Sequence, residues 1–174
     1  MQIQSNEFSA QRNESDRAEY VSLRSALREG DAEAVARLVA HTGVFNAEEV
    51  AVARSLIEET RAHDKGEYLF LMADGTDGLD GYVCFGPIPG TERRYELYWI
   101  AVQARHRGLG RKLLAACERA IRQCCGTHLF AETSTREEYA PAHALYRSSG
   151  YRLEATVADY HADGDHMAIF AKRL

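Results

Sequence analysis

A chain of 174 residues, 45% hydrophobic and 27% charged, has the make-up of one soluble globular domain and is short for two. Its formal net charge of -5 argues against a surface built for polyanions, so neither nucleic acid nor an anionic membrane is an expected partner. Cys84, Cys117, Cys124 and Cys125 match no zinc spacing, no apolar run reaches the length of a membrane span, and the polar start holds no signal-peptide core, so no metal and a cytoplasmic location are expected.

Residues 1–17 are rich in Gln, Ser, Asn, Glu and Arg and predict a polar tail ahead of one domain over 18–174. Residues 20–24 suit a first strand. Gly30 and Asp31 suit a turn and a helix start, and Ala34, Val35, Leu38 and Val39 repeat at helical spacing up to Gly43. Asn46 caps a second helix, with Glu48 and Glu49 in its first turn and Val50, Ala53, Leu56 and Ile57 as its buried face. Residues 67–73 and 82–86 read as strands joined by a polar, glycine-rich loop over 74–81, and Pro87 and Pro89 stop the second. Residues 95–102 read as the next strand. Leu109, Leu113, Leu114, Cys117, Ala120 and Ile121 then share one helical face, which predicts a helix to about Cys125 capped by Gly126, with Cys117 and Cys124 in the core. Residues 128–133 suit a strand, and 139–149 a helix that admits Pro141 in its first turn and ends at Gly150. Residues 151–160 and 166–173 suit a hairpin around Asp163-Gly164-Asp165. The order predicts an α/β domain with a central mixed, mostly antiparallel sheet and about four flanking helices.

Chemistry concentrates where the strand over 95–102 meets the following helix. Arg105, His106, Arg107, Arg111 and Lys112 crowd that junction with no acid among them, around Gly108 and Gly110. Glycine lets backbone approach a ligand closely, and a helix N-terminus offers unpaired N–H groups and partial positive charge. The combination suits a phosphate or pyrophosphate. A dinucleotide fingerprint fails because Leu113 stands where its third glycine would be, and no Gly-Lys-Ser/Thr follows, which removes a P-loop.

Arg105-His106-Arg107-Gly108-Leu109-Gly110 resembles the pyrophosphate loop, Gln/Arg-x-x-Gly-x-Gly/Ala, of the GNAT superfamily of acyl-CoA N-acyltransferases. A second stretch resembles that superfamily's Asn-x-x-Ala-x-x-x-Tyr-x-x-x-Gly-Phe signature: Ala142, Tyr146 and Gly150 match in spacing, Tyr151 replaces Phe, and Tyr139 replaces Asn. The predicted element order is also that of a GNAT domain, so the resemblance covers nearly everything after the tail.

The resemblance implies acetyl-CoA as the acyl-donor cosubstrate. It implies that the strand ending at Val102 splays from the strand over 129–133, that pantetheine lies in the opening against backbone of Ile100, Ala101 and Val102, and that pyrophosphate rests on N–H groups of 107–112. The expected cofactor-binding residues are then Ile100, Ala101, Val102, Arg105, Arg107, Gly108, Leu109, Gly110, Arg111 and Lys112, the arginines adding charge and the glycines access. Transfer to an amine requires a proton taken from the amine, an oxyanion steadied and a thiolate protonated. Tyr146 matches the GNAT tyrosine that serves as general acid, and a backbone N–H near Val102 would meet the oxyanion. Glu96 and Glu132 are two candidate bases, and a site with no protein base is a third solution. Alternation places Glu96 with Tyr98 and Ile100 on one face unless a bulge intervenes. Glu132, Thr133, Ser134, Tyr139, Asp159, Tyr160 and the Asp163 turn supply polar or aromatic groups toward the acceptor end, whereas Tyr98 and Trp99 read as core aromatics.

The resulting expectation is an N-acetyltransferase acting on a primary amine, carried by a small molecule, an amino-acid derivative or a protein, by direct attack in a ternary complex. No cysteine sits beside the cofactor motif with a base, so a covalent intermediate is not expected. The alternative is a non-catalytic acyl-CoA-binding regulatory module. An acetylating toxin acting on transfer RNA is disfavoured by the net charge of -5. A homodimer is compatible with the resemblance.

Overall fold

The structure is a computed structural model that describes residues 21–63, 67–103 and 108–174. The expected tail and the loop residues Arg105, His106 and Arg107 lie outside the described residues. Seven strands, β1 (Ser22–Arg24), β2 (Leu69–Gly75), β3 (Gly78–Pro87), β4 (Arg94–Val102), β5 (His128–Ser134), β6 (Arg152–Ala162) and β7 (Asp165–Arg173), form one sheet in the order β1-β2-β3-β4-β5-β7-β6. Every neighbouring pair is antiparallel except β4 and β5. Helices α1 (Asp31–Thr42) and α2 (Ala47–Ala62) pack on one face, and α3 (Leu109–Gln123) and α4 (Ala140–Ser148) on the other. β3 is buried on both faces from Leu79 to Gly86, which explains why that stretch is apolar or small apart from the buried Asp80. No helix among the described residues is long and apolar enough to cross a membrane.

Local chemistry explains most boundaries. Asn46 accepts from the Glu49 N–H at 2.9 Å while Glu49 accepts from the Asn46 N–H at 2.7 Å, a complete capping box for α2. The polar stretch over 74–81 is not one long loop: Gly75 pairs with Gly78 across a tight turn, and the strands continue through it. Gly78 at φ +129 allows that turn. α3 also ends differently from expectation. Cys124 is its exposed C-cap, and Cys125 takes the left-handed position at φ +58, giving the Cys125 N–H→Arg122 and Gly126 N–H→Ile121 bonds of a Schellman closure. Gly126 is glycine for a steric reason instead, since a Cβ there would drive into Ile121 and the Tyr95 ring. Cys124 is thus exposed rather than in the core, while Cys117 is buried as expected.

One irregularity positions everything that follows. The β3–β4 register jumps so that Cys84 faces Trp99 while Phe85 faces Leu97, leaving Tyr98 as an extra residue in β4. Leu97 packs toward α3 and α4, Tyr98 and Trp99 both turn toward α1 and α2, and Ile100 returns to the α3 side. Simple alternation therefore fails at this bulge: Ile100 leaves the face that Tyr98 occupies. A bulge bends its strand and disrupts its ladder. β4 and β5 pair from Arg94↔His128 to Leu97↔Ala131 and no further. β5 stays in register with β7 out to Ser134↔Met167, so it is β4 that departs. A wedge opens between residues 98–102 and 132–134.

Candidate active site

The wedge leads into a cavity of about 450 Å³. Tyr98, Trp99 and Ile100 of β4 form one wall, and Glu132, Thr133 and Ser134 of β5 form the facing wall. Ala142 and Tyr146 of α4 close one side; Phe45 and Glu49, at the α1–α2 junction, close the other, with His161 and Asp165 from the β6–β7 hairpin at the rim. Along the β5 side, the backbone edge of β4 beyond Leu97 carries no strand. Its free peptide groups are suited to an extended, amide-bearing ligand, as in strand addition.

At the far end of β4 stands the N-terminus of α3. Gly108 caps it at φ +81 with no side-chain acceptor, and the first intrahelical bond is Lys112 N–H→Gly108. The N–H groups of Leu109, Gly110 and Arg111 therefore have no helical partner. No acid occupies the first turn, and Arg111 and Lys112 are exposed there. Three N–H donors without a helical partner, a helix dipole and two cations fit a phosphate group. The Leu109 side chain is buried in the core, so only its backbone faces outward. A Cβ at Gly110 would meet Leu145 of α4 at ordinary contact distance. Arg111 reaches Ser148 at 3.3 Å, which ties the α3 start to α4.

Tyr146 is 4% exposed, yet it lines the cavity. Its ring packs against Phe170 at 5.4 Å and Tyr151 at 5.7 Å. Burial, with a small contribution from Cys117, pushes its hydroxyl above the usual phenol range. Tyr151 is held in turn: its hydroxyl donates to Glu118 Oε1 at 3.1 Å, and Lys172 Nζ donates to both Glu118 oxygens at 2.9 and 2.8 Å. The departure from the signature's Phe is thereby explained, because the added hydroxyl satisfies a buried carboxylate.

Glu96 and Glu132 lie on the same face of adjacent strands, since Glu96 pairs with Phe130 and Glu132 follows by two. Glu96 is half-buried; burial and then the Glu132 charge raise its carboxyl above the ordinary value. Glu132 lines the cavity, and Glu96 does not. Neither has an ion-pair partner among the described residues. No group of three or more His, Cys, Asp or Glu that could hold a metal occurs among those residues.

Tyr98 and Trp99, read from sequence as core aromatics, also face this space. Trp99 contacts Phe45 at 5.1 Å, and Phe45 contacts Tyr139 edge-on at 6.1 Å. Arg136 lies over the Tyr139 ring at 5.4 Å and pairs with Asp165 at 3.2 Å, while Asp165 also accepts from Ser134. Asp159 and Tyr160 do not line the cavity. Phe45, Asn46, Glu49, Arg136 and His161 are the lining residues that sequence reasoning missed. Phe45 and Glu49 carry strong helix-start signals, an apolar residue before the cap and a capping-box acid, which accounted for them without any ligand.

The sequence model of the Acetyltransferase (GNAT) family matches residues 23–151. No curated protein matches the sequence. A solved structure of a GNAT-family protein from Desulfovibrio desulfuricans is 39% identical, covers 88% of this chain and 99% of its own, and superposes with a TM-score of 0.85. The ribosomal-protein-S18-alanine N-acetyltransferase of Escherichia coli is 21% identical, with 88% and 94% covered and a TM-score of 0.68. YncA from Salmonella typhimurium, solved with its cofactor acetyl-CoA, is 19% identical, with 88% and 94% covered and a TM-score of 0.71. The latter two are similar in fold.

Proposed function

Because the chain belongs to the GNAT family of acetyltransferases, we propose that it transfers the acetyl group of acetyl-CoA to a primary amine by direct attack within a ternary complex. The observation that carries this reading is the wedge between β4 and β5, with helix N–H donors that have no helical partner beyond β4 and the buried Tyr146 in its wall. The uncovered backbone of Ile100, Ala101 and Val102 holds the pantetheine arm. The N–H groups of Leu109, Gly110 and Arg111 hold the pyrophosphate, and Arg111 and Lys112 add charge. The proposal extends to Arg105 and Arg107 by their place in the loop motif.

Tyr146 donates to the leaving sulfur. Burial keeps the proton on the phenol through the neutral range, so the hydroxyl enters the reaction as a donor. A backbone N–H near Val102 meets the developing oxyanion. Glu96, directly or through water, or Glu132 takes the amine proton. If Glu96 is that base, it must be ionised. Activity is then present above its raised folded-state pKa and lost as pH falls through it. Glu132→Gln removes the repelling charge and should move this acid limb to lower pH, whereas Glu96→Gln should abolish it. Measuring kcat/KM against pH checks both, and unchanged limbs in the two variants would mean that the amine loses its proton to water.

Thermal unfolding with acetyl-CoA, against adenosine nucleotides as controls, tests the cofactor assignment. A ligand at about one hundred times its Kd stabilises by roughly 2.7 kcal/mol. Gly108→Glu should remove that gain by placing a carboxylate against the pyrophosphate. Gly108→Asn should retain much of it, because Asn tolerates the left-handed backbone at φ +81 and adds no charge. No stabilisation of the wild type at saturation would overturn the assignment.

A further inference from the structure

The acceptor half of the cavity has two negative poles with an aromatic wall between its outer elements. One is Glu49 in the first turn of α2, half-buried where it lines the cavity. Its Oε2 accepts from the Asn46 N–H at 2.7 Å, and no cation pairs with it among the described residues. Its charge is felt by the Tyr139 hydroxyl. The other is Glu132 on β5, exposed where it lines the cavity, its charge felt by Glu96. Trp99, Phe45 and Tyr139 run in contact from β4 to the start of α4.

The other charged lining groups do not offset these poles. Arg136 is committed to Asp165 at 3.2 Å, so that pair is neutral, and Asp165 is further held by Ser134. Arg136 resting on Tyr139 at 5.4 Å shows that these rings already accept a cation. With His161 neutral, the described lining residues thus carry an excess of two negative charges, beside walls suited to methylene groups.

Resting on the acetyltransfer reading, we infer that the acceptor is a linear α,ω-diamine, its reacting end at Glu132, its methylenes along Phe45 and Trp99, and its second ammonium at Glu49. The balance of the step is simple. The N–C bond forms as the C–S bond breaks, the amine's proton leaves through the base or water, and the departing sulfur takes a proton. The second ammonium takes no part in the chemistry and contributes affinity, which places its effect in KM.

The test compares linear diamines with monoamines of equal chain length, following free-thiol release in wild type and Glu49→Gln. Gln preserves the α2 cap, because its amide oxygen still accepts from the Asn46 N–H. Wild type should favour the diamine by about tenfold in kcat/KM, the scale of one charge-assisted contact. Glu49→Gln should erase that ratio, mainly through KM. A diamine-to-monoamine ratio near one in wild type, or a ratio unchanged by Glu49→Gln, overturns the inference while leaving acetyltransfer standing. Stabilisation by acetyl-CoA with no thiol release for any amine removes the transfer reading, and this inference with it.

Discussion

Tyr146→Phe is expected to lower kcat by about 10²–10⁴-fold while leaving the stabilisation by acetyl-CoA intact. The size follows from what the hydroxyl is asked to do. A departing thiolate needs a proton, and Tyr146, which stays protonated through the neutral range, supplies a hydroxyl donor in the cavity wall. Phenylalanine keeps the ring contacts to Phe170 and Tyr151, so the fold and the cofactor site should survive the change. The decisive comparison is single-turnover rate against thermal shift for the same variant. A wild-type rate would remove Tyr146 as the donor. A lost thermal shift would instead assign the hydroxyl to binding. The same variant discriminates against an acyl-CoA-binding module, for which loss of the hydroxyl changes no rate at all.

Much of this site is legible in the sequence because its parts are local. The α3 start is readable from Gly108 and the surrounding basic residues, since unpaired N–H groups and helix charge are properties of one turn. Tyr146 is readable because helical spacing fixes it relative to Ala142 and Gly150. The wedge itself is less legible. Its origin is one extra residue at Tyr98, and nothing in residues 95–102 distinguishes a bulged strand from a regular one. Only the register against Cys84 and Phe85 reveals it. The acceptor pocket is less legible still, because Phe45 and Glu49, Trp99, Tyr139, and His161 come from four separate elements or junctions. Local rules explain Phe45 and Glu49 fully as a helix start, and so conceal their second role. The end of α3 failed in the opposite direction: Gly126 has the composition of a cap, but its requirement is space beside Ile121 and Tyr95.

Lys172→Met should be the most damaging substitution away from the cavity, for reasons that no single stretch of sequence contains. Glu118 lies on α3 with its side chain 7% exposed, and Lys172 on β7 is 24% exposed. Lys172 donates to both carboxylate oxygens, Tyr151 donates to one, and Arg122 approaches at 3.7 Å from the surface side. Removing the lysine leaves a buried carboxylate that Arg122, itself largely solvated, does not neutralise. Breaking one side of a buried pair costs about 3–5 kcal/mol, most of it the stranded charge rather than the lost attraction. For a domain of this size, the lower figure lowers Tm by roughly 6–12 °C. The double variant Glu118→Gln/Lys172→Met separates those contributions. With no charge left to strand, it should recover most of the loss, and a double-mutant cycle should give a coupling of roughly 1–3 kcal/mol. If Lys172→Met alone shifts Tm by less than a degree or two, the pair is solvated and the network does not hold α3 to β7. Any shift of the stranded Glu118 should also reach the active site, because Tyr151, which donates to Glu118, packs against the Tyr146 ring. Acetyl transfer at a temperature where Lys172→Met remains folded should therefore fall in kcat with KM for acetyl-CoA unchanged.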